Sequence, residues 1–226
     1  MMKWTNMKTL ALLCGLLTSG QALAEGALMV LPASLTMTDG QPRTVSVRNV
    51  GDAPLYLNID VMKVTNPGDK TEQRVALSDV ASPGIIANPG RMTLGANQSR
   101  KITLTPLTEP DKEAVYRLYI VPVRSFNVEN VPQDKISAPV SLSIGYGVLV
   151  RHQPPVSKQV KTWQVACSGS GMVITNTGNA RVLFTGIKAH GKTDDKIAVF
   201  PGTPQQVGVN EFTALSEGKP VVVKCG

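Results

Sequence analysis

The sequence predicts an all-β protein folded as two unequal sandwiches. Three observations predict it. Aromatic residues make up only 4% of the 226 positions, whereas Gly (20) and Pro (16) are plentiful and Val, Thr, Leu and Ser abound, a composition of short strands and frequent turns. Apolar and polar residues alternate over short runs, and beyond the N-terminal segment no stretch holds helical spacing for more than two turns. A motif recurs 127 positions further along the chain, one copy in each half. An apolar content of 42% with mean hydropathy near zero marks a globular protein and excludes collagen, low-complexity disorder and a disulfide-dense miniprotein.

The first element is not part of the fold. Lys3 and Lys8 precede the apolar run from Leu10 to Leu17, and Ala22-Leu23-Ala24 supplies small residues at the two positions a signal peptidase reads. Residues 1–24 therefore read as a cleaved export signal, with the mature chain starting near Glu25. The run is far short of the roughly 20 residues a spanning helix needs, and no later window comes close, so the chain is not expected to span a membrane. Cys14 is a poor lipid-attachment site because bulky Leu13 occupies a position that wants a small residue. Losing Lys3 and Lys8 lowers the formal charge from +7 to +5. The remaining Lys and Arg are scattered singly, with no basic run interleaved with aromatics, and an exported protein does not meet nucleic acid. Cys167 and Cys225 remain, and an even pair in an exported chain reads as a disulfide.

Strand-like alternation then follows at 28–37, 43–49, 55–64, 73–77, 100–106, 115–123 and 138–152. About seven strands over this length are the count of an immunoglobulin-like sandwich, giving a first domain over 25–152. Gln153-Pro154-Pro155 interrupts strand pairing and stiffens a short connector. A smaller second sandwich over 153–226 has runs at 160–166, 172–176, 181–188, 196–199, 205–209 and 220–225, and the Cys167 to Cys225 bridge would compensate for its modest core. The recurring motif is Val47-Arg-Asn-Val-Gly-Asp-Ala-Pro-Leu-Tyr-Leu57, returning as Ile174-Thr-Asn-Thr-Gly-Asn-Ala-Arg-Val-Leu-Phe184. Asn-x-Gly-Asp/Asn-Ala between two strands is hairpin chemistry, since Gly and Asn accept positive φ. Two explanations stand, chance similarity between two hairpins or one equivalent hairpin in each domain, and the Pro-Pro connector supports the second.

Catalytic and metal chemistry lack a sequence basis. The two histidines, His152 beside the connector and His190 in a polar turn, are not placed next to a nucleophile. HExxH, GxSxG, P-loop and GxGxxG patterns do not occur, and Asp194-Asp195 reads as a solvated turn. Neither cysteine has a His or Cys partner at ligand spacing. Met29, Met37, Met62 and Met92 read as core filling. No enzyme, cofactor or metal site is expected.

The last strand of the first domain is too long for its sandwich. Ala138, Val140, Leu142, Ile144, Tyr146, Val148 and Val150 fall on one face, well beyond the usual strand of about 5–6 residues. Pro139, Ser141 and Ser143 on the other face make the first half an edge strand. One explanation is that the whole strand closes the core. The other places Val148 and Val150 in the core and presents Ala138, Val140, Leu142 and Ile144 to a partner that lacks a strand. Gly145 and Gly147 then permit a bulge or a close backbone approach.

At this point the chain resembles the periplasmic chaperones of the chaperone-usher pathway, which assist assembly of fimbriae in Gram-negative bacteria. The carriers are Val45 to Asp60, Glu113-Ala-Val-Tyr-Arg-Leu-Tyr-Ile-Val-Pro122, Val148-Leu-Val-Arg151 before Pro154, Thr175-Asn-Thr-Gly-Asn179 and Gly218-Lys-Pro-Val-Val-Val-Lys-Cys225, in this order across nearly the whole mature chain. The resemblance implies two immunoglobulin-like domains in a boomerang, a periplasmic location, and a donor strand lent to fimbrial subunits (pilins) and a tip adhesin before delivery to an outer-membrane usher. Carried over by position, the donor residues are Ala138, Val140 and Leu142, with Ile144 next. The Gly-x-Gly-Val-Leu-Val form resembles the alternate branch serving alpha-class fimbriae. The family's two-cation anchor for the pilin carboxylate is not matched, since Ala33 or Ser34 and Gly147 occupy those positions. Arg117 is a candidate substitute by charge, against the alternative of a solvated strand cation. An interdomain ionic link is implied at Glu113 and Arg151, with Glu217 as third member. The rival class is a structural fimbrial subunit or adhesin, which would have one incomplete domain preceded by a free apolar extension.

Overall fold

The computed structural model describes residues 27–123, 144–190 and 194–225. Its first strands show how a single proline redirects the chain. The run expected as one strand over 28–37 is two, β1 (Leu28–Leu31) and β2 (Ser34–Met37), in different sheets. Pro32 has no N–H to give a ladder, so pairing stops there. β1 pairs antiparallel with β3 (Arg43–Asn49), whereas β2 runs parallel to a strand from the far end of the same sandwich.

Alternating apolar residues drive the remaining strands of this half: β4 (Leu55–Val64), β5 (Arg74–Ala76), β6 (Ile85–Asn88), β7 (Arg91–Leu94), β8 (Ser99–Pro106), β9 (Ala114–Val123) and β10 (Tyr146–His152). One sheet has the order β1-β3-β8-β6 and the other β2-β10-β9-β4-β5, with β7 also on β4. The two sheets enclose Val45, Leu57, Ile59, Ile102, Leu104, Leu118, Ile120, Val148 and Val150. Met37 and Met92 fill this core, but Met29 is 43% exposed on β1.

The second half is built from β11 (Trp163–Ser168), β12 (Gly171–Asn176), β13 (Val182–Ala189), β14 (Lys196–Val199), β15 (Gln205–Val207), β16 (Glu211–Ser216) and β17 (Lys219–Lys224). A sheet β11-β12-β15 faces a sheet β14-β13-β16-β17 across a separate core centred on Phe184, Phe212, Ile174 and Val223. Trp163 and Phe212 meet Phe184 edge-on, with ring centroids 5.4 and 5.7 Å away. Cys167 and Cys225 are disulfide-bonded, tying β11 to the end of β17 and so one sheet to the other. Among the described residues the only helical segments are two three-residue 3₁₀ turns.

The duplicated motif is not a hairpin. In both copies the two strands lie in different sheets, β3 to β4 and β12 to β13, so the motif turns the chain across the core. Its asparagine is what allows the crossing. Asn49 is fully buried; its Nδ2 donates to the carbonyls of Ala53 (2.7 Å) and Gly95 (3.1 Å), and its Oδ1 accepts from the N–H of Gly51 (3.0 Å). Asn176 repeats the arrangement, donating to Ala180 (2.8 Å) and Val199 (2.9 Å) and accepting from Gly178 (2.8 Å). A corner cannot form ladder bonds, and the side-chain amide satisfies the backbone groups it buries.

Candidate functional site

β10 is a core strand at one end and an exposed strand at the other. Pairing with β9 runs from Tyr146 to His152, but pairing with β2 covers only Leu149 to His152, so among the described residues the first half of β10 has one unpaired edge. The inward row follows the same gradient. Val150 is 0% exposed, Val148 1%, Tyr146 39% and Ile144 70%. The row thus leaves the sandwich as it runs towards Ile144. Ala138, Val140 and Leu142 lie outside the described residues.

The register from Tyr146 to His152 is continuous, so no bulge occurs there. The two glycines serve close approach instead. A Cβ on Gly145 would stand 3.0 Å from Val121 Cγ2, and one on Gly147 would stand 3.3 Å from Tyr119 Cε1. Side chains of β9 therefore lie over the bare backbone of β10.

Arg117, the candidate anchor, projects from the same outer face of β9 and is held by Glu72. Its Nη2 is 2.5 Å from Glu72 Oε1, and its Nε donates to both carboxylate oxygens at 3.0 and 3.2 Å. Nη1 reaches the carbonyl of Gly147 at 3.4 Å. The Arg117 hydrogen bonds hold the Glu72 carboxyl below the usual carboxylate range; partial burial opposes this, and the charges of Arg117 and Arg74 reinforce it. Arg74 in turn hydrogen-bonds the Tyr119 hydroxyl and lies 5.6 Å from its ring centroid. Arg117 is thus already paired with a carboxylate of its own sandwich.

The implied ionic link is built differently from the expected triad. The side chain of Glu113 is fully enclosed where the two sandwiches meet. It accepts from the backbone N–H of Arg181 (2.7 Å), Gln153 Nε2 (2.9 Å) and Arg151 Nη1 (3.4 Å), and its own N–H donates to the carbonyl of Asn179 (2.8 Å). Domain 1 therefore docks on the second copy of the asparagine corner. Glu217 makes no bond to Glu113 or Arg151; it pairs with Lys161 at 2.6 Å and acts on the group only through its charge on Arg181. Arg181 is a member of the group that sequence reasoning does not reach. It lies 5.8 Å from the Phe200 ring centroid, and burial, followed by repulsion from Arg151, depresses its pKa against the attraction of Glu113 and Glu217. Its signal lies inside the motif, where Arg181 stands at the position Pro54 holds in the first copy. Beside it Val64, Val115 and Phe200 form a small apolar cluster with Leu149 and Ala198.

Among the described residues no three His, Cys, Asp or Glu side chains are grouped to hold a metal, and no helix is long and apolar enough to cross a membrane. No family model matches the chain. A CFA/I fimbrial subunit of Escherichia coli is 30% identical over 161 residues, 70% of this chain and 66% of that protein, so the match spans slightly under two thirds of the relative. A CS1 fimbrial subunit of Escherichia coli is 25% identical over 198 residues, 83% of this chain and 82% of that protein. Among solved structures, the class 5 fimbriae chaperone CfaA aligns with a TM-score of 0.67 and 21% identity, over 88% of this chain and 98% of the other. CsuC–CsuE, a chaperone–tip adhesion subunit pre-assembly complex of the archaic chaperone-usher Csu pili of Acinetobacter baumannii, aligns with a TM-score of 0.57 and 15% identity, over 88% and 97%. With both sandwiches matched over nearly their full length, the chain has the fold of the fimbrial chaperones, and its sequence relatives come from the CFA/I and CS1 fimbriae.

Proposed function

We propose that this protein is a periplasmic, non-enzymatic chaperone that captures fimbrial subunits and a tip adhesin by lending them β10 and the residues before it, then passes them to an outer-membrane usher. The observation that carries this is the inward row of β10, which goes from fully buried at Val150 to 70% exposed at Ile144 beside an unpaired strand edge. A pilin lacking one strand can add that edge to its own sheet and bury the row, and full burial of a Val, Leu or Ile is worth about 1.5–3 kcal/mol. Ala138, Val140, Leu142 and Ile144 are the donor residues on this reading. No nucleotide is needed, because replacement of the lent strand by a better-packing one releases free energy.

The two sequence relatives are named as components of fimbriae, which fits the rival class of structural subunit or adhesin. Topology favours the chaperone. A pilin needing a strand would have an incomplete sandwich, whereas here β10 lies inside the chain and is followed by a whole second sandwich. Val140→Asp, Leu142→Asp or Ile144→Asp is expected to leave the protein folded and abolish capture of co-expressed pilins on periplasmic co-purification. Undiminished recovery with all three overturns the donor-strand assignment. Arg117→Ala tests the anchor in the same assay: retained capture with Arg117→Ala removes it from the site and leaves a structural pair with Glu72.

A further inference from the structure

The segment between β4 and β5 is longer than a hairpin turn requires, and it does not hang free. Asn66 organises it: its Nδ2 donates to Asp69 Oδ2 (3.0 Å) and to the carbonyl of Thr71 (2.9 Å), and its Oδ1 accepts from the N–H of Gln73 (2.6 Å). The base of the hairpin is fixed to β9 by two further side chains, Glu72 on Arg117 and Arg74 on Tyr119. Its tip crosses to the second sandwich. Gly68 has φ +98°, and a Cβ there would stand 3.0 Å from the carbonyl oxygen of Ala198, 3.1 Å from Gln205 Nε2 and 3.2 Å from Phe200 Cδ2. Gln205 Nε2 donates to Asp69 Oδ1 at 3.4 Å. Val64, the last residue of β4 before this segment, packs on the same Phe200.

We propose that residues 65–73 are a strut that fixes the angle of the second sandwich against the first, with Gly68 and Asp69 as the positioning residues. The Glu113 group holds the 179–181 corner, the Val64–Val115–Phe200 cluster packs beside it, and the strut extends the contact along the Ala198 to Gln205 edge. The corner and the cluster beside it leave rotation about themselves open, and the strut, reaching out to Gln205, opposes it. A loop fixed at its base, organised by its own asparagine and seated by a glycine whose φ of +98° and close neighbours disfavour a side chain transmits position. The consequence for capture, which rests on the chaperone reading above, is that the angle between the sandwiches is preset and binding does not include ordering of a hinge.

The test uses the mature protein and three variants. Gly68→Val inserts a side chain into the seat. Gln205→Glu sets a carboxylate against Asp69 at a partly exposed site that leaves both cores untouched, and Asp69→Asn in the Gln205→Glu background gives that carboxylate a donor. Residual dipolar couplings of backbone amides, fitted separately for the two sandwiches, report orientation in the free protein. The wild type is expected to fit one alignment tensor, both single variants to need two, and the double variant to return to one. One tensor in both single variants, or no recovery in the double variant, overturns the strut. Pilin recovery is then expected to fall roughly tenfold in the single variants, since capture now includes hinge ordering. Altered tensors with wild-type recovery overturn the role in capture. Failure of the wild type to capture any pilin counts against the chaperone reading and leaves the strut standing on the couplings alone.

Discussion

Replacing Glu113 with alanine is the sharpest perturbation the interdomain contact offers. The carboxylate has no solvent exposure and satisfies three donors, the N–H of Arg181, the Gln153 amide and the Arg151 guanidinium. Removing one partner of a buried charged pair costs about 3–5 kcal/mol, because the other partner is left without compensation. Arg151 is 21% exposed and also donates to Thr36 Oγ1 at 2.6 Å, so it is not stranded, and the lower end, about 3 kcal/mol, applies. For a chain of this size each kcal/mol moves Tm by about 2–4 °C, which gives a fall of about 6–12 °C. Calorimetry of the mature protein at pH 7 should show that fall and a separation into two endotherms, since the lost bonds join the sandwiches and lie in neither core. Glu113→Gln keeps an acceptor for the Arg181 N–H and should lose about half as much. A single endotherm within about 2 °C of wild type for Glu113→Ala would refute the assignment of Glu113 as the interdomain hub.

Three further outcomes follow from particular side chains. Asn49→Ala strands buried carbonyls and the Gly51 N–H at the first corner, so urea unfolding should show a loss of about 2–4 kcal/mol, and Asn176→Ala a similar loss in the second sandwich; a loss below about 0.5 kcal/mol at both would remove the corner argument. His152 is 2% exposed with Nδ1 lacking a hydrogen-bond partner, and burial lowers its pKa below the ordinary value near 6.5. The unfolded chain therefore binds a proton that the folded chain refuses, and stability should decline as pH falls from about 6.5 towards the folded pKa, then level off. His152→Phe should flatten that part of the urea midpoint profile, and an unchanged slope would assign the decline to other groups. The Cys167 to Cys225 bridge closes a 58-residue separation, worth about 4 kcal/mol in the chain-entropy model. In Glu113→Ala, where the two sandwiches are expected to melt apart, reduction should lower the second sandwich's endotherm while the first is unaffected, and an equal shift in both would contradict two separate cores.

Legibility in the sequence tracks how local the determining contacts are. β3, β4, β8 and β9 alternate cleanly over seven to ten residues, and the sequence-based boundaries fall within one residue of theirs. β6 and β7 are not legible, because four-residue runs on either side of Pro89-Gly90 look like one turn-rich loop. β16 escapes although Phe212, Ala214 and Ser216 alternate inward; its partner β17 lies across the two-residue turn Glu217-Gly218, both at positive φ. The motif at 47–57 and 174–184 is visible, but its geometry is not. Turn chemistry fixes a reversal locally, and only the pairing of the flanking strands with distant ones decides between hairpin and corner. Arg117 stands out by charge without revealing Glu72, 45 residues earlier, and Arg181 stands out only as the replacement for Pro54 in the second copy of the motif, since both acquire their surroundings from long-range packing.

The exposure gradient along β10 separates folding from binding within one strand. At Val150 and Val148 the side chains complete the core, so truncation there acts on stability, with Val150→Ala expected to cost about 2 kcal/mol. At Ile144, already 70% exposed in the free protein, the same strand face contributes little to the fold, and a substitution there should be thermally silent. Tyr146, at 39%, lies between the two regimes. Capture must show the reverse order if the exposed row is the donor surface. Truncation to alanine at each of the four positions, with urea midpoint and pilin recovery measured on the same preparations, should give two opposed trends: stability loss rising from Ile144 to Val150, and loss of recovery per unit of stability falling along the same path. Parallel trends would mean that capture fails only because the fold fails, and β10 would then be a core strand with a frayed end and no binding role.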